Sequence, residues 1–286
     1  MKKVFNITKM HGGKNIQDFL TKNQGYSSRS MRKISLELNG VSIKSIKKRL
    51  VTGDVLAVEE AEKGSNLEAK YLPLDIVYED ADLLVLNKPP YLLVHPTKKH
   101  AEMTLAQGIL YYFQHKGLNI IPRFYNRLDM NTSGIIIVAK NGYSQSFLQK
   151  NEVRKYYQAI VEGICQEKEF IVEKNIACKE DEIKRFVSET EGQYAKTAFK
   201  VLKENKNFEI TLLEAELFTG RTHQIRVHLA SVGLPIIGDE LYGKKNAVYK
   251  RQLLHSYKTS LIHPTTKKEM LFEIELPTDM NIFKFF

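Results

Sequence analysis

Asp129 stands in NRLDMNTSG, residues 126–134, directly before the apolar run IIIV of residues 135–138. A charge at the mouth of what reads as a buried strand is costly unless it is compensated. Either this loop is a solvated turn, in which an Asp commonly serves as turn-former, or the carboxylate has a chemical task. A second stretch, GRTHQIRVHLASVGLPIIGDELYG over residues 220–243, raises the complementary question. Thr222 is placed to cap a helix whose apolar face is Ile225, Leu229 and Val232, and Gly233 to end it. Arg221, His223 and Arg226 then lie at its first turns. Cations there oppose the helix dipole by about 0.3 kcal/mol or more each, and a functional pairing with an anion is the natural compensation.

Other chemistries fit these residues poorly. His223, His228, His255 and Asp239 could be imagined around a metal. But His223 and His228 are five apart, about 500° round a helix, and there is no HExxH and no carboxylate at ligand spacing. A hydrolase using Ser133 would need a GxSxG elbow, which is absent. Cys165 and Cys178 have no CxxC or CxxH companion, so both read as reduced thiols, and no metal is expected.

The elements around these stretches read mostly as strands. LDIVYEDADLLVLNKPPYLLVHP reads as two strands about an acidic turn, followed by a proline-stiffened loop. TLAQGILYYFQHKG is an amphipathic helix capped by Thr104 and ended at Gly117. GIIIVAKN is a buried strand, SQSFLQKN a short helix and KYYQAIVEGI a strand. TAFKVLKENKNFEITLLEAELFTG is a hairpin, and MLFEIELP a closing strand. Hairpin-linked strands with few helices and no strict alternation predict an α+β fold with a largely antiparallel mixed sheet flanked by helices.

The N-terminal 60 residues differ in charge. They hold twelve Lys/Arg against five Asp/Glu, a net +7 of the chain's +10 at 286 residues, which favours a polyanionic partner. Ile16, Phe19 and Leu20 have helical spacing, SSRSMRKISLEL predicts a second short helix, and GVSIKS with KRLVTGDVLAVEE predicts a hairpin turning at Gly53-Asp54. Two helices, a small hairpin, and Arg29, Arg32 and Lys33 beside the second helix resemble the S4 RNA-binding module. The alternative is a solvated basic face. Residues 61–70, AEKGSNLEAK, read as a linker, giving an S4-like module over 1–60 and a second domain over 71–286. The start MKKVFNITKMHGGK lacks a signal-peptide core and no window reaches about 18 apolar residues. A cytoplasmic protein without membrane association is expected.

NRLDMNTSGIIIVAKN, KYYQAIVEG and GRTHQIRVHLASVGLPIIGDELYG, with NKPPYLLVHP before them and LLHSYKTSLIHP after, resemble the RluA/RluD family of RNA pseudouridine synthases. The resemblance covers roughly residues 72–280. It implies isomerisation of uridine to pseudouridine in RNA, with no cofactor: the bond from ribose C1′ to N1 breaks, the uracil turns, and C5 bonds to C1′. It makes Asp129 the catalytic carboxylate, attacking C1′ or assisting departure through a glycal. Arg226 becomes the countercharge that holds it ionised. Tyr157 becomes the tyrosine against the target base, with a possible part in removing the C5 proton, and Tyr156 points to the opposite face. Arg127 would help hold the flipped nucleotide; Arg221 and His223 would make phosphate or structural contacts. Ribosomal large-subunit RNA is the expected substrate ahead of transfer RNA, and a monomer the expected state. A non-catalytic RNA-binding or ribosome-assembly factor would share the basic N-terminus but has no need of Asp129, Tyr157 and Arg226. The sequence departs from the family at Asn126, where His is usual, at Tyr91, where Gly is usual, and at Leu234, where His is common. A subgroup with its own RNA target, and an altered loop at Tyr91, are the expectations there.

Overall fold

The computed structural model describes residues 2–26, 31–32, 34–60, 67–96, 103–180 and 182–284. The N-terminal unit is built from β1 (Lys2–Asn6), a helical turn α1 (Ile16–Asp18) that continues as a wider turn over Phe19–Asn23, β2 (Ile34–Leu38), β3 (Val41–Ile43) and β4 (Val55–Glu60). The strands form one antiparallel sheet in the order β1-β4-β2-β3. Asn15 starts the helical turn by accepting the Asp18 N–H at 2.7 Å, and buries Ile16, Phe19 and Leu20 against Leu36, Leu56 and Val58.

Residues 27–30 and 33 of the second helix read over SSRSMRKISLEL lie outside the described residues, and the described remainder differs from the expectation in part. ISLEL, read as helix, alternates Leu36 and Leu38 inward and is a strand. β1 was not foreseen. KRLV is not a strand; Arg49 makes only an isolated bridge to Asn15. Arg29 and Lys33 lie outside the described residues, as does most of the expected linker, and Arg32 is exposed. The unit's core does not close on itself either. It runs on into Tyr143 and Phe147 of a later helix, where Tyr26 packs 5.4 Å from Tyr143. Lys3 donates to Asp82 at 2.7 Å. Burial would push the Asp82 carboxyl up, but Lys3 and the hydroxyls of Ser144 and Thr265 hold it well below its ordinary range.

The rest of the chain contains β5 (Ile76–Glu79), β6 (Leu83–Lys88), α2 (Leu105–His115), β7 (Arg123–Phe124), β8 (Ser133–Ala139), α3 (Gly142–Lys150), β9 (Val153–Glu162), β10 (Glu169–Glu173) and the small hairpin β11 (Asn175–Cys178) with β12 (Arg185–Ser188). After these come β13 (Lys196–Asn205), β14 (Ile210–Leu217), α4 (Gln224–Ser231), β15 (Leu254–Ile262), β16 (Glu269–Glu273) and a 3-10 turn, Thr278–Lys284. Ten strands make one mixed sheet in the order β10-β13-β14-β9-β15-β8-β6-β5, with β16 beside β15 and β7 beside β8. The fold is α+β, and the helix boundaries read at Thr104, Gly117 and Gly233 stand.

Alternate residues of β6 and β8 feed two separate cores. Leu84, Leu86, Ile136 and Val138 face α2, while Leu83, Val85, Ile135 and Ile137 face Leu148 and Phe272. An uninterrupted apolar strand is what burial on both faces demands. The ladder is antiparallel except where β15 meets β8, and there it is only two residue pairs long, His255↔Ser133 and Ser256↔Gly134. Gly134, at φ +117, lies so close that a Cβ would sit 2.2 Å from the Ser256 carbonyl oxygen. Ser256 in turn pairs with Tyr157 on β9. Three strands thus bring the loop before β8 up to the face of β9.

Candidate active site

Asp129 sits in the loop that enters β8, and four contacts fix that loop. Asn126 lays its side-chain amide along β8, donating to the Ile135 carbonyl at 3.0 Å and accepting the Ile137 N–H at 2.8 Å. The residue that departs from the family pattern therefore acts as a short extra rung of the sheet. The Asp129 carbonyl accepts the Thr132 N–H at 3.1 Å. Lys88, fully buried at the end of β6, donates to the carbonyls of Pro89, Leu92 and Met130 at 2.7–2.9 Å; burial pushes its amine down to about 7. Arg251 reaches the Asn131 carbonyl at 3.2 Å while pairing with Asp279 at 2.6 and 2.8 Å.

Arg226 comes to the carboxylate from α4. Its Nη1 donates to Asp129 Oδ2 at 2.8 Å, while Nε and Nη2 clasp both oxygens of Asp239 at 2.7 and 2.8 Å. Burial works against its charge, but the two carboxylates raise the guanidinium above its ordinary value. The helix does not start as read. Thr222 is exposed and caps nothing; the N-cap is His223, in the left-handed region at φ +58. Gln224 holds the turn by accepting the Arg221 N–H and the Thr219 hydroxyl. A His with positive φ is uncommon, and such backbone collects at functional sites.

That conformation carries His223 to the carboxylate. Its Nε2 lies 3.8 Å from Asp129 Oδ2, and its Nδ1 lies 2.8 Å from the Tyr242 hydroxyl. The Tyr242 oxygen also accepts the Arg185 N–H at 2.8 Å. Burial pushes the imidazole below its ordinary value, and the neutral ring prevails at pH 7. Arg226 alone is within hydrogen-bond distance of Oδ2, with the His223 ring beside the same oxygen at 3.8 Å. Asp129 Oδ1 has no protein partner among the described residues, and Asp129 lines an open cleft of about 940 Å³.

Tyr157 lines the same cleft, 5 % exposed, packed with Leu128, Ile225 and Leu254. Burial, with the Asp129 charge adding to it, pushes its phenol up to about 12, so the hydroxyl is protonated at neutral pH. Tyr156 points to the other face, under Lys258 at 4.5 Å. Arg127 and Arg221 line the rim and are exposed; Arg221 Nε donates to the Tyr194 carbonyl at 3.0 Å. Of the sequence-derived residues, Asp129, Tyr157, Arg226, Arg127, Arg221 and His223 therefore meet at one cleft. Arg32 is not among its lining residues. The other histidines weighed for a metal serve elsewhere, His228 on Thr197 at 2.9 Å and His255 on Ser133 at 2.9 Å. Asp239, Tyr242, Lys88 and Arg251 were missed as site residues. A lysine at the end of an apolar strand was the available signal for Lys88; Asp239 was weighed only as a metal ligand.

An ionised carboxylate with one oxygen held and the other open, beside an aromatic ring on an apolar floor, is equipped to act on a flat, uncharged base and the sugar that carries it. The family described as RNA pseudouridylate synthase matches residues 82–231, which span the Asp129 loop, β9 and α4. The chain belongs to the RluA/RluD family of RNA pseudouridine synthases. The synthase is 39 % identical over 252 residues to an uncharacterized RNA pseudouridine synthase of Bacillus subtilis (strain 168), covering 86 % of this chain and 88 % of that one. It is 35 % identical over 242 residues to ribosomal large subunit pseudouridine synthase D of Pasteurella multocida (strain Pm70), covering 78 % and 73 %. The solved structure of human RNA pseudouridylate synthase domain containing 1 superposes with a TM-score of 0.58 at 25 % identity, over 73 % of this synthase and 86 % of the human chain. The synthase is an isomerase that converts uridine to pseudouridine in RNA.

Proposed function

We propose that this synthase modifies ribosomal large-subunit RNA, without a cofactor, through Asp129. The observation that carries the chemistry is the division of the carboxylate: Oδ2 taken by Arg226, Oδ1 open to the cleft beside Tyr157. Oδ1 attacks C1′ of a uridine flipped into the cleft and the C1′–N1 bond breaks, its electron pair passing to the uracil. The uracil turns against Tyr157, and its C5 bonds to C1′ as the ester to Asp129 opens. The C5 proton then leaves and N1 gains one, so atoms and charge balance with no redox partner. Arg226 holds Oδ2 throughout, and Arg127 and Arg221 meet the backbone phosphates at the rim. A phenol that ionises near 12 is rarely a phenolate at pH 7, which favours Tyr157 as the platform for the turning base over a role as general base. The ribosomal substrate is supported by relatives named ribosomal large subunit pseudouridine synthase D.

The test is mapping of pseudouridine in total RNA from cells with and without the gene, and from cells carrying Asp129→Asn. One or more sites in large-subunit RNA should vanish in both, a loss of several decades in rate at about 1.4 kcal/mol of barrier per decade. Wild-type modification by Asp129→Asn would sink the assignment, and loss confined to transfer RNA would move the substrate. Tyr157→Phe should keep most of its activity if the ring alone is needed.

A further inference from the structure

Lys155 is a shielded cation for which no carboxylate is provided. It lies on β9 two residues before Tyr157, so both side chains face the cleft, about 6.8 Å apart along the strand. The loop from β14 to α4 covers it: a Cβ on Gly220 would lie 4.0 Å from its Nζ, and the Tyr125 ring centroid is 6.0 Å away. Burial lowers its amine below the ordinary lysine value. The other shielded lysines are matched. Lys88 has three carbonyls, Lys140 has Glu79 and the Asp80 carbonyl, and Lys3 has Asp82. No hydrogen bond or ion pair to the Lys155 ammonium is present among the described residues. Its neighbour Glu152 is taken by Arg154 at 2.9 Å. Among the described residues the one acid lining the cleft is Asp129, which Arg226 occupies; the cations lining it are Lys155, Arg123, Arg127, Arg221 and Arg226.

A desolvated ammonium without a partner costs free energy in the unliganded protein. That cost is recovered only when an anion arrives. A nucleotide seated with its base at Tyr157 spans the separation to Lys155 with its own sugar and phosphate. We propose that Lys155 binds a backbone phosphate of the RNA, fixing the flipped nucleotide along β9 so that C1′ meets Asp129. The inference rests on the proposed function and deepens it by naming a phosphate site inside the cleft, below the rim arginines. A lysine suits this position because a compact ammonium on a flexible stem makes a point contact, where a guanidinium would need a planar partner.

The experiment is salt-dependent binding of an end-labelled, uridine-containing RNA hairpin to the full-length wild type, Lys155→Met and Lys155→Arg, with melting curves for each. For Lys155→Met the slope of log affinity against log salt should fall by about 0.7, the loss of one phosphate contact to a single strand. KM should rise more than kcat falls, and Lys155→Arg should recover much of the slope. Lys155→Met should melt no lower than wild type, because an unpaired, half-buried charge has been removed. An unchanged slope overturns the proposal. So does a Lys155→Met protein that melts lower and loses affinity that Lys155→Arg does not restore, because Lys155 is then structural. Binding is read without turnover, so a changed slope stands even if Asp129→Asn proves active, and that activity would count against the proposed chemistry alone.

Discussion

Arg226 is a bridge between two carboxylates, and this decides what its removal does. It meets Asp129 with one nitrogen and Asp239 with two, and Asp239 is 1 % exposed. Arg226→Met therefore strips the countercharge from the proposed catalytic carboxylate and also leaves Asp239 buried with only backbone N–H donors. Breaking one side of a buried pair costs about 3–5 kcal/mol. We expect Arg226→Met to lose activity and to unfold at markedly lower urea. The double variant Arg226→Met/Asp239→Leu should regain much of that stability but none of the activity. Equal instability of the single and double variants would show that Asp239 is not held through Arg226. Tyr91, where the family usually has glycine, takes a left-handed backbone. Its φ is +61, in the region that glycine enters freely and other residues enter at a cost of about 1–2 kcal/mol.

Between elements, the deciding contact is the short parallel meeting of β8 and β15. Two residue pairs make it, and Gly134 allows it because its α-carbon carries nothing that would strike Ser256. Through Ser256 the same line reaches Tyr157, so the spacing of Asp129 and the Tyr157 ring depends on one glycine. Gly134→Ala places a methyl 2.2 Å from a carbonyl oxygen at a φ that L-residues avoid. We expect a loss of about 3 kcal/mol or more in stability. At temperatures where the variant is still folded, activity should fall further than the folded fraction, because the Asp129 loop is pushed away from β9. A variant with normal stability and turnover would show that the two strands part freely.

For the whole molecule, the basic N-terminal unit and the catalytic sheet share a core. Deleting residues 1–60 uncovers Tyr143 and Phe147 and removes Lys3 from Asp82. At about 1.5–3 kcal/mol for each large side chain returned to water, the remaining domain should melt well below the full chain. Its RNA affinity should also show a flatter salt dependence, since the deleted segment carries a net +7. An unchanged salt slope would mean that the basic face is only solvated. Acid should destabilise the full chain in two stages. Burial lowers the His255 imidazole from 6.5 to about 4; the unfolded chain takes up that proton first, and stability is lost as pH falls from 6.5 to 4. Against its burial, Glu79 is lowered from 4.5 to about 2 by Lys116, Lys140 and Tyr112, and stability is lost again as pH falls from 4.5 to 2. Urea midpoints should drop by the equivalent of up to about 3 kcal/mol in the first stage. His255→Gln should flatten that stage while leaving the second.

The sequence by itself determined the fold class, most of the catalytic-domain strands, and the residues that meet in the cleft. Those signals are local: IIIV must be buried on both faces, Thr104 and Gly117 bound a helix by their own backbone chemistry, and Asp129 is conspicuous because its neighbours are apolar. The small strands went unread because their residues satisfy no periodicity alone. β1 and ISLEL become strands only by pairing with β4, a partner many residues away. The same holds in the site. Asp239 lies thirteen residues beyond Arg226 and Lys88 lies 42 before Met130, and no spacing rule links such pairs. Which oxygen of Asp129 is held and which lysine lacks a partner are matters of direction and distance between separate elements. They were decided only when β8, β9, β15 and α4 packed around one cleft.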